Sequence, residues 1–174
     1  LWTDHGFHIG EKENWEKFAL WDQTTRVPLF IHAPGLSKDG AKTRQPVTLT
    51  DLYPTLCELA GLPVPKQCDG ASLVPQLRKP QQHSGSVSLT SFQFWGDSSP
   101  SHAVSDERHR LISYPDGFIE LYDLLEDPQE FTNLAKYPSF AMIKKRLHQK
   151  IPTTVKPFVG IPADSIYNQK RKIR

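Results

Sequence analysis

The sequence predicts an α/β chain in two parts. Residues 1–85 read as the C-terminal remnant of a large α/β domain. Residues 86–174 read as a small α+β subdomain, an antiparallel sheet of about four strands against one packed helix, followed by an extended tail. Three observations carry this. The first part holds one short, fully apolar run of the kind that lies inside a sheet. The second part alternates polar and apolar residues, the period of half-buried strands. Between them, Pro63 to Gly85 is rich in Pro, Gln and Ser, a boundary composition.

The elements follow in order. Arg26 to Gly35 (RVPLFIHAPG) has Pro and Gly boundaries around Leu29-Phe30-Ile31 and reads as a buried strand. A polar loop, 36–44, leads to Val47–Gly61. There Thr50 or Asp51 caps a helix whose apolar face is Leu52, Leu56, Leu59 and Ala60. Pro54 suits the first turn, where its missing N–H costs nothing, and Gly61 with Pro63 supplies the stop. A short helical turn is expected near 72–77. Strands are expected at 86–93, 102–104, 110–114 and 118–122, with Pro115-Asp116-Gly117 as the turn between the last two. Phe140–Lys150 is amphipathic, with Ile143 and Leu147 inward and Lys144, Lys145 and Lys150 outward. The final two dozen residues carry three prolines and little periodicity, and no internal repeat is visible.

A single apolar strand needs neighbours, and the chain offers no other like it, so sequence upstream of Leu1 is expected. Leu1-Trp2 reads as the tail of a strand, which suggests an internal cut. The nine Phe, five Tyr and four Trp suffice for a core, which argues against wholesale disorder. A formal net charge of +2 gives no reason to expect nucleic acid as a partner, and the basic run Lys170–Arg174 reads as a solvated terminus. No window is long and apolar enough for a membrane span. Cys57 falls in an apolar helical run and reads as a small buried hydrophobe. Its nearness to Cys68 does not establish disulfide geometry.

Chemistry concentrates in the opening stretch LWTDHGFHIGEKENWEKFALW. Asp4 and His5, at a strand end before Gly6, can direct adjacent side chains to one point above a sheet edge, where open α/β sheets hold ligands. Asp supplies a hard oxygen for Ca2+ or Mg2+, whereas His is the commoner ligand of transition metals. From these three residues alone, an Asp accepting backbone N–H bonds in a turn with a nearby surface His is the stronger reading. A lysine returned to this mouth would offer a compact cation to an anionic substrate. Composition does not choose between Lys12 and Lys17.

The ordered set Asp4-His5-Gly6, Gly10-Glu11, Trp15-Glu16-Lys17, Arg26-Val27-Pro28-Leu29 and Ala33-Pro34-Gly35 resembles the C-terminal portion of a sulfatase of the alkaline-phosphatase-like superfamily. The iduronate-2-sulfatase and choline-sulfatase branch is the nearest. The resemblance continues through Thr50–Leu56, Ala60–Pro63, Gly70–Leu73, Ser101–Val104, Arg108–Tyr114, Glu120–Leu124, Asp127-Pro128 and Thr132–Ala135, to about residue 150.

It implies Asp4 and His5 as ligands of a Ca2+ beside the sulfate, with His5 where many relatives have Asn, and Lys17 as the lysine on the sulfate oxygens. His8 and His102 lie in matching segments as candidates for the substrate pocket. The family's nucleophile is a formylglycine made from a C/S-x-P-x-R motif. Cys57 stands in CELAG and Cys68 in CDGAS, so neither supplies it, and no catalytic residue is assigned.

The implied partners are a sulfated small molecule or glycan and an N-terminal sulfatase region. The implied location is periplasmic, secreted or lysosomal. Two other readings remain beside this one: an interaction module that self-associates through an unpaired sheet edge, and a phosphodiesterase or phosphonate hydrolase of the same superfamily.

Overall fold

The computed structural model describes residues 1–93 and 99–154. In chain order its regular elements are β1 (His8–Ile9), β2 (Trp15–Glu16), α1 (Asp22–Thr25), α2 (Leu52–Leu59), α3 (Val74–Arg78), β3 (Ser88–Phe92), β4 (Ser101–Ser105), β5 (His109–Ser113), β6 (Ile119–Asp123) and α4 (Ala141–His148). The expectation of an extended tail falls mostly on residues 155–174, outside the described set.

Strands β3 to β6 form the expected four-stranded antiparallel meander, in the order β3-β4-β5-β6. Period-two alternation divides it into two faces. Val104, Leu111 and Leu121 lie in cross-strand register on one face and are buried with Leu147 of α4. Ala103, Ile112 and Tyr122 lie on the other and are buried with Leu20, with Trp21 packed against them. The sheet therefore has α4 on one side and the opening segment on the other. Helix α4 inserts Leu147 as its one buried residue, and Lys144 turns back to donate to the Ala135 carbonyl at 2.8 Å.

The β5–β6 connection closes as expected. Asp116 Oδ1 accepts the Phe118 N–H at 2.9 Å, and Gly117 takes φ 86°, a conformation that favours glycine. The outer edge of β6 is covered. Leu134 donates to the Leu121 carbonyl, and Asn133 both accepts the Leu121 N–H and donates to the Ile119 carbonyl.

Two expectations in the first half need correction. The run 26–35 forms no strand: one antiparallel bridge joins Leu29 to Trp2, and Phe30 is 64% exposed. An apolar run becomes a buried strand only where neighbouring strands pair with it, and here only the first residues do so.

Helix α2 forms where expected but turns a different face inward. Pro54, Thr55 and Cys57 are buried while Leu56 is 63% exposed. Its inner face is set by the loop before α3, where Thr55 Oγ1 accepts the Leu73 N–H at 2.8 Å. Asp51 acts from inside the first turn rather than as the cap residue: its carboxylate accepts the Thr48 N–H at 2.8 Å and the Ala71 N–H at 2.9 Å. Leu56, Leu52 and Leu59 instead line an open apolar groove with Trp2, Leu29 and Phe30. Cys57 is buried as expected, and both cysteines are free.

Candidate active site

The opening stretch is fastened at both ends. Leu1 and Phe30 exchange backbone hydrogen bonds at 2.8 Å. Gly6 donates its N–H to the Thr24 carbonyl at 2.9 Å, and a Cβ at Gly6 would lie 1.9 Å from the Gln23 carbonyl oxygen. Only glycine lets the chain after His5 run this close to α1.

His5 is oriented by the backbone of the next residue. Its Nδ1 lies 2.8 Å from the Gly6 carbonyl, which can only accept, so Nδ1 carries the proton. Nε2 then holds a lone pair, and the Lys17 ammonium donates to it at 3.0 Å. The Asp4 carboxylate lies 3.8 Å from the same Nε2. Its own backbone N–H, with the Lys17 ammonium nearby, holds the Asp4 carboxyl below the usual carboxylate range despite an opposing effect of burial. Asp4, His5 and Lys17, twelve or more positions apart at the extremes, thus converge on one point.

Lys17 reaches that point through a hairpin that the sequence did not announce. β1 and β2 pair His8 with Glu16 and Ile9 with Trp15, and Lys17 is the next residue. The connecting turn passes through left-handed backbone at Lys12 (φ 55°) and Glu13 (φ 57°), and Glu16 follows at φ 75°. Such residues cost on the order of 1 kcal/mol each when they are not glycine.

The structure also separates the two lysines. The Lys12 ammonium lies 4.5 Å from the Trp21 ring centroid, 4.8 Å from Tyr122 and 5.8 Å from Phe131, and it donates to the Glu130 carbonyl. It is committed to packing, while Lys17 stays exposed.

The two further histidines lie elsewhere. His8 is fully buried, edge-on to Trp21 at 5.7 Å, and its ring nitrogens lack a hydrogen-bond partner among the described residues. Burial pulls its imidazole below its ordinary pKa. His102 is buried on the middle of β4, with Nδ1 2.8 Å from Ser91 Oγ, and alternation places it on the α4 face of the sheet. The convergence at His5 includes neither.

A buried polar cluster that sequence reading missed holds this arrangement to the sheet. Arg110 Nη2 meets Asp22 Oδ1 at 2.5 Å, and Nη1 donates to Thr25 Oγ1 at 2.6 Å and to the Leu20 carbonyl at 3.2 Å. Glu130 accepts the Asp22 N–H at 2.7 Å and faces Arg110 Nε at 3.3 Å. Glu120 takes Trp21 Nε1–H and the Tyr122 hydroxyl, both at 2.8 Å. Burial pushes the Glu130 carboxyl up to about 7. The contacts from residues 20–25 to this cluster span 85 to 108 positions and leave no local pattern, so nothing in the spacing could have found them.

The comparisons with known proteins lead to the C-terminal portion of a sulfatase. A family model described as N-sulphoglucosamine sulphohydrolase, C-terminal, matches residues 10–156, and the chain belongs to this sulfatase family. A sulfatase of Formosa agariphila is 36% identical over 154 residues, 88% of this chain and 29% of its own length. A Delta 4,5-hexuronate-2-O-sulfatase of Bacteroides thetaiotaomicron is 33% identical over 82% of the chain and 31% of itself.

Among solved structures, one in complex with its substrate D-glucosamine-2-N,6-O-disulfate superposes with a TM-score of 0.75 at 27% identity, covering 85% of this chain and 32% of the other. A phosphonate monoester hydrolase of Agrobacterium radiobacter superposes at 0.70 with 26% identity, covering 86% and 33%. The chain spans about three tenths of the length of the curated relatives it matches. Asp4 and His5 precede the residues matched by the family model, whereas Lys12 and Lys17 fall inside them.

Proposed function

We propose that this chain forms one wall of the active site of a sulfatase that hydrolyses a sulfate ester on a carbohydrate. Asp4 and His5 would serve as ligands of a divalent cation, Ca2+, and Lys17 would hold the sulfate oxygens. The observation that carries the reading is the meeting of Asp4, His5 Nε2 and Lys17 Nζ within 3.0–3.8 Å.

The donor set fits part of a coordination shell. Asp4 is anionic at neutral pH, and His5 has its ring fixed by the Nδ1–H bond to Gly6, the arrangement that presents Nε2 to a metal. Among the described residues no group of three such side chains gathers around one point, and Ca2+ takes about six to eight ligands. The remaining ligands and the nucleophile would therefore come from the rest of a longer chain. When bound, the cation supplies stabilisation of charge on the sulfate oxygens.

The residues of this chain do the rest of the work assigned here. Lys17 carries three N–H donors on a flexible stem, enough to leave His5 and clasp two sulfate oxygens. Asp4 keeps negative charge close to the same point, which favours a cation there and holds Lys17 nearby.

A carbohydrate sulfate is favoured by the names of the relatives, a hexuronate-2-O-sulfatase and a structure holding a disulfated glucosamine. The second reading, a phosphonate hydrolase, rests on the similar superposition of that enzyme. Hydrolysis of a 2-O-sulfated disaccharide against a phosphonate monoester by the full-length enzyme separates them. A kcat/KM higher for the sulfate ester is expected, and a preference for the phosphonate would refute the proposal.

A further inference from the structure

We propose that Lys12 is a positioning residue for Lys17: from its cage on the sheet subdomain it holds the hairpin that sets the Lys17 ammonium against His5. The inference rests on the reading that Lys17 meets the substrate sulfate.

The hairpin does not hold its own shape. Each strand is two residues long, far below the length at which a two-stranded ribbon is stable by itself. Its turn is closed by a few local bonds: Gly10 N–H to the Asn14 carbonyl at 3.1 Å, Asn14 N–H to the Glu11 carbonyl at 3.0 Å, and Ile9 N–H to Glu11 Oε2 at 2.8 Å. Against these stand the left-handed conformations at Lys12, Glu13 and Glu16, which surrounding structure must enforce. The tip residue supplies that enforcement. Lys12 reaches more than 100 positions along the chain to Tyr122 and Glu130, and its cation sits among three aromatic rings.

The receiving side is rigid. Glu130 itself takes φ 58°, which aims its carbonyl at Lys12, and its carboxylate is fixed by the Asp22 N–H and Arg110. Trp21 is fixed by Glu120. Downstream of Lys17, the buried Leu20 anchors the chain to the same sheet face. The segment carrying Lys17 is thus held at the buried His8 of β1, at Lys12 in the turn and at Leu20, with Lys17 exposed between the last two. Releasing the hold at Lys12 loosens the turn and β2, which carries Lys17, while His8 and the core stay in place.

The test is a double-mutant cycle in the full-length enzyme on an aryl sulfate, with Lys12→Met, Lys17→Ala and both together. Methionine keeps the stem in the aromatic cage and removes the charge. Lys12→Met is expected to lower kcat/KM by roughly five- to thirtyfold, the scale of a lost partly buried cation–π contact. The double variant is expected to be no slower than Lys17→Ala, and Lys12→Arg to recover part of the loss. A purely structural lysine would instead give losses that multiply.

Phe131→Ala, at the exposed wall of the cage, covers the case in which Lys12→Met does not fold. It is expected to cost about two- to fivefold, again only while Lys17 is present. Wild-type rates, or multiplying losses, would overturn the proposal while leaving the role of Lys17 intact. A Lys17→Ala enzyme as active as wild type would remove the reading beneath it, and the positioning role would fall with it.

Discussion

Replacing Arg110 with Met tests how the opening segment is attached to the sheet. Arg110 is 5% exposed and carries the contacts to Asp22, Thr25 and the Leu20 carbonyl, so its loss removes the buried cation between Asp22 and Glu130 and leaves Asp22 only the exposed Arg26 at 3.5 Å. Breaking one side of a buried ion pair costs about 3–5 kcal/mol. This is a large part of the roughly 5–15 kcal/mol that holds a domain folded.

The cost should depend on pH. Burial raises the Glu130 carboxyl from 4.5 to about 7, so the folded chain keeps a proton that the unfolded chain releases between those values. Stability from this group is complete below pH 4.5 and is lost as the pH rises through about 7. Without Arg110 the carboxyl is pushed higher still. At pH 5 Glu130 holds its proton with or without Arg110, whereas at pH 8 its charged form has lost its buried partner, so the loss is larger at pH 8.

Urea unfolding of wild type and Arg110→Met at the two pH values measures this. With a slope near 2 kcal/mol/M, the midpoint should fall by roughly 1.5–2.5 M at pH 8 and by less at pH 5. A loss below about 1 kcal/mol, or one no larger at pH 8 than at pH 5, would refute the assignment of Arg110 as the buried tie.

Further outcomes are expected. Gly6→Ala should cost about 2–3 kcal/mol, because its Cβ meets the Gln23 backbone, and should speed exchange of the amide that donates to Thr24. Unchanged exchange would contradict the close approach. Without reductant, both cysteines should titrate as thiols in denaturant, and Cys68 should react faster than buried Cys57 in the native state; a mass showing a disulfide would contradict this. The 174-residue chain by itself should release no product from an aryl sulfate, since neither cysteine stands in a C/S-x-P-x-R motif, and measurable turnover would refute the placement of the nucleophile elsewhere.

The parts of the fold that the sequence announced are those whose packing is local. Alternation at 101–123 and the Pro115-Asp116-Gly117 turn fix the meander, because each strand pairs with its neighbour in sequence. Leu147 is found inside because α4 packs on that adjacent sheet. Where partners are distant the pattern misleads. Leu29-Phe30-Ile31 looks like a core strand, yet a single bridge to Trp2 is all the strand pairing it finds among the described residues. Helix α2 buries Thr55 and Cys57 rather than Leu56, since the loop ahead of α3 decides its inner face.

The site divides in the same way. Asp4 and His5 are neighbours, so their juxtaposition could be read. Lys12 and Lys17 are alike by composition. Only contacts to Tyr122 and Glu130, 110 and 118 positions away, commit Lys12 to the interior and leave Lys17 at His5.

The most direct test of the central reading is the hydrolysis of a sulfate ester by full-length enzyme carrying Lys17→Ala. Lys17 is exposed and its one hydrogen bond named among the described residues is to His5 at 3.0 Å, so folding should be preserved. Loss of a preorganised cation at developing charge predicts a fall in kcat/KM of about 10²–10³. A kcat/KM equal to that of wild type would contradict the account of Asp4, His5 and Lys17 as one wall of a sulfatase active site.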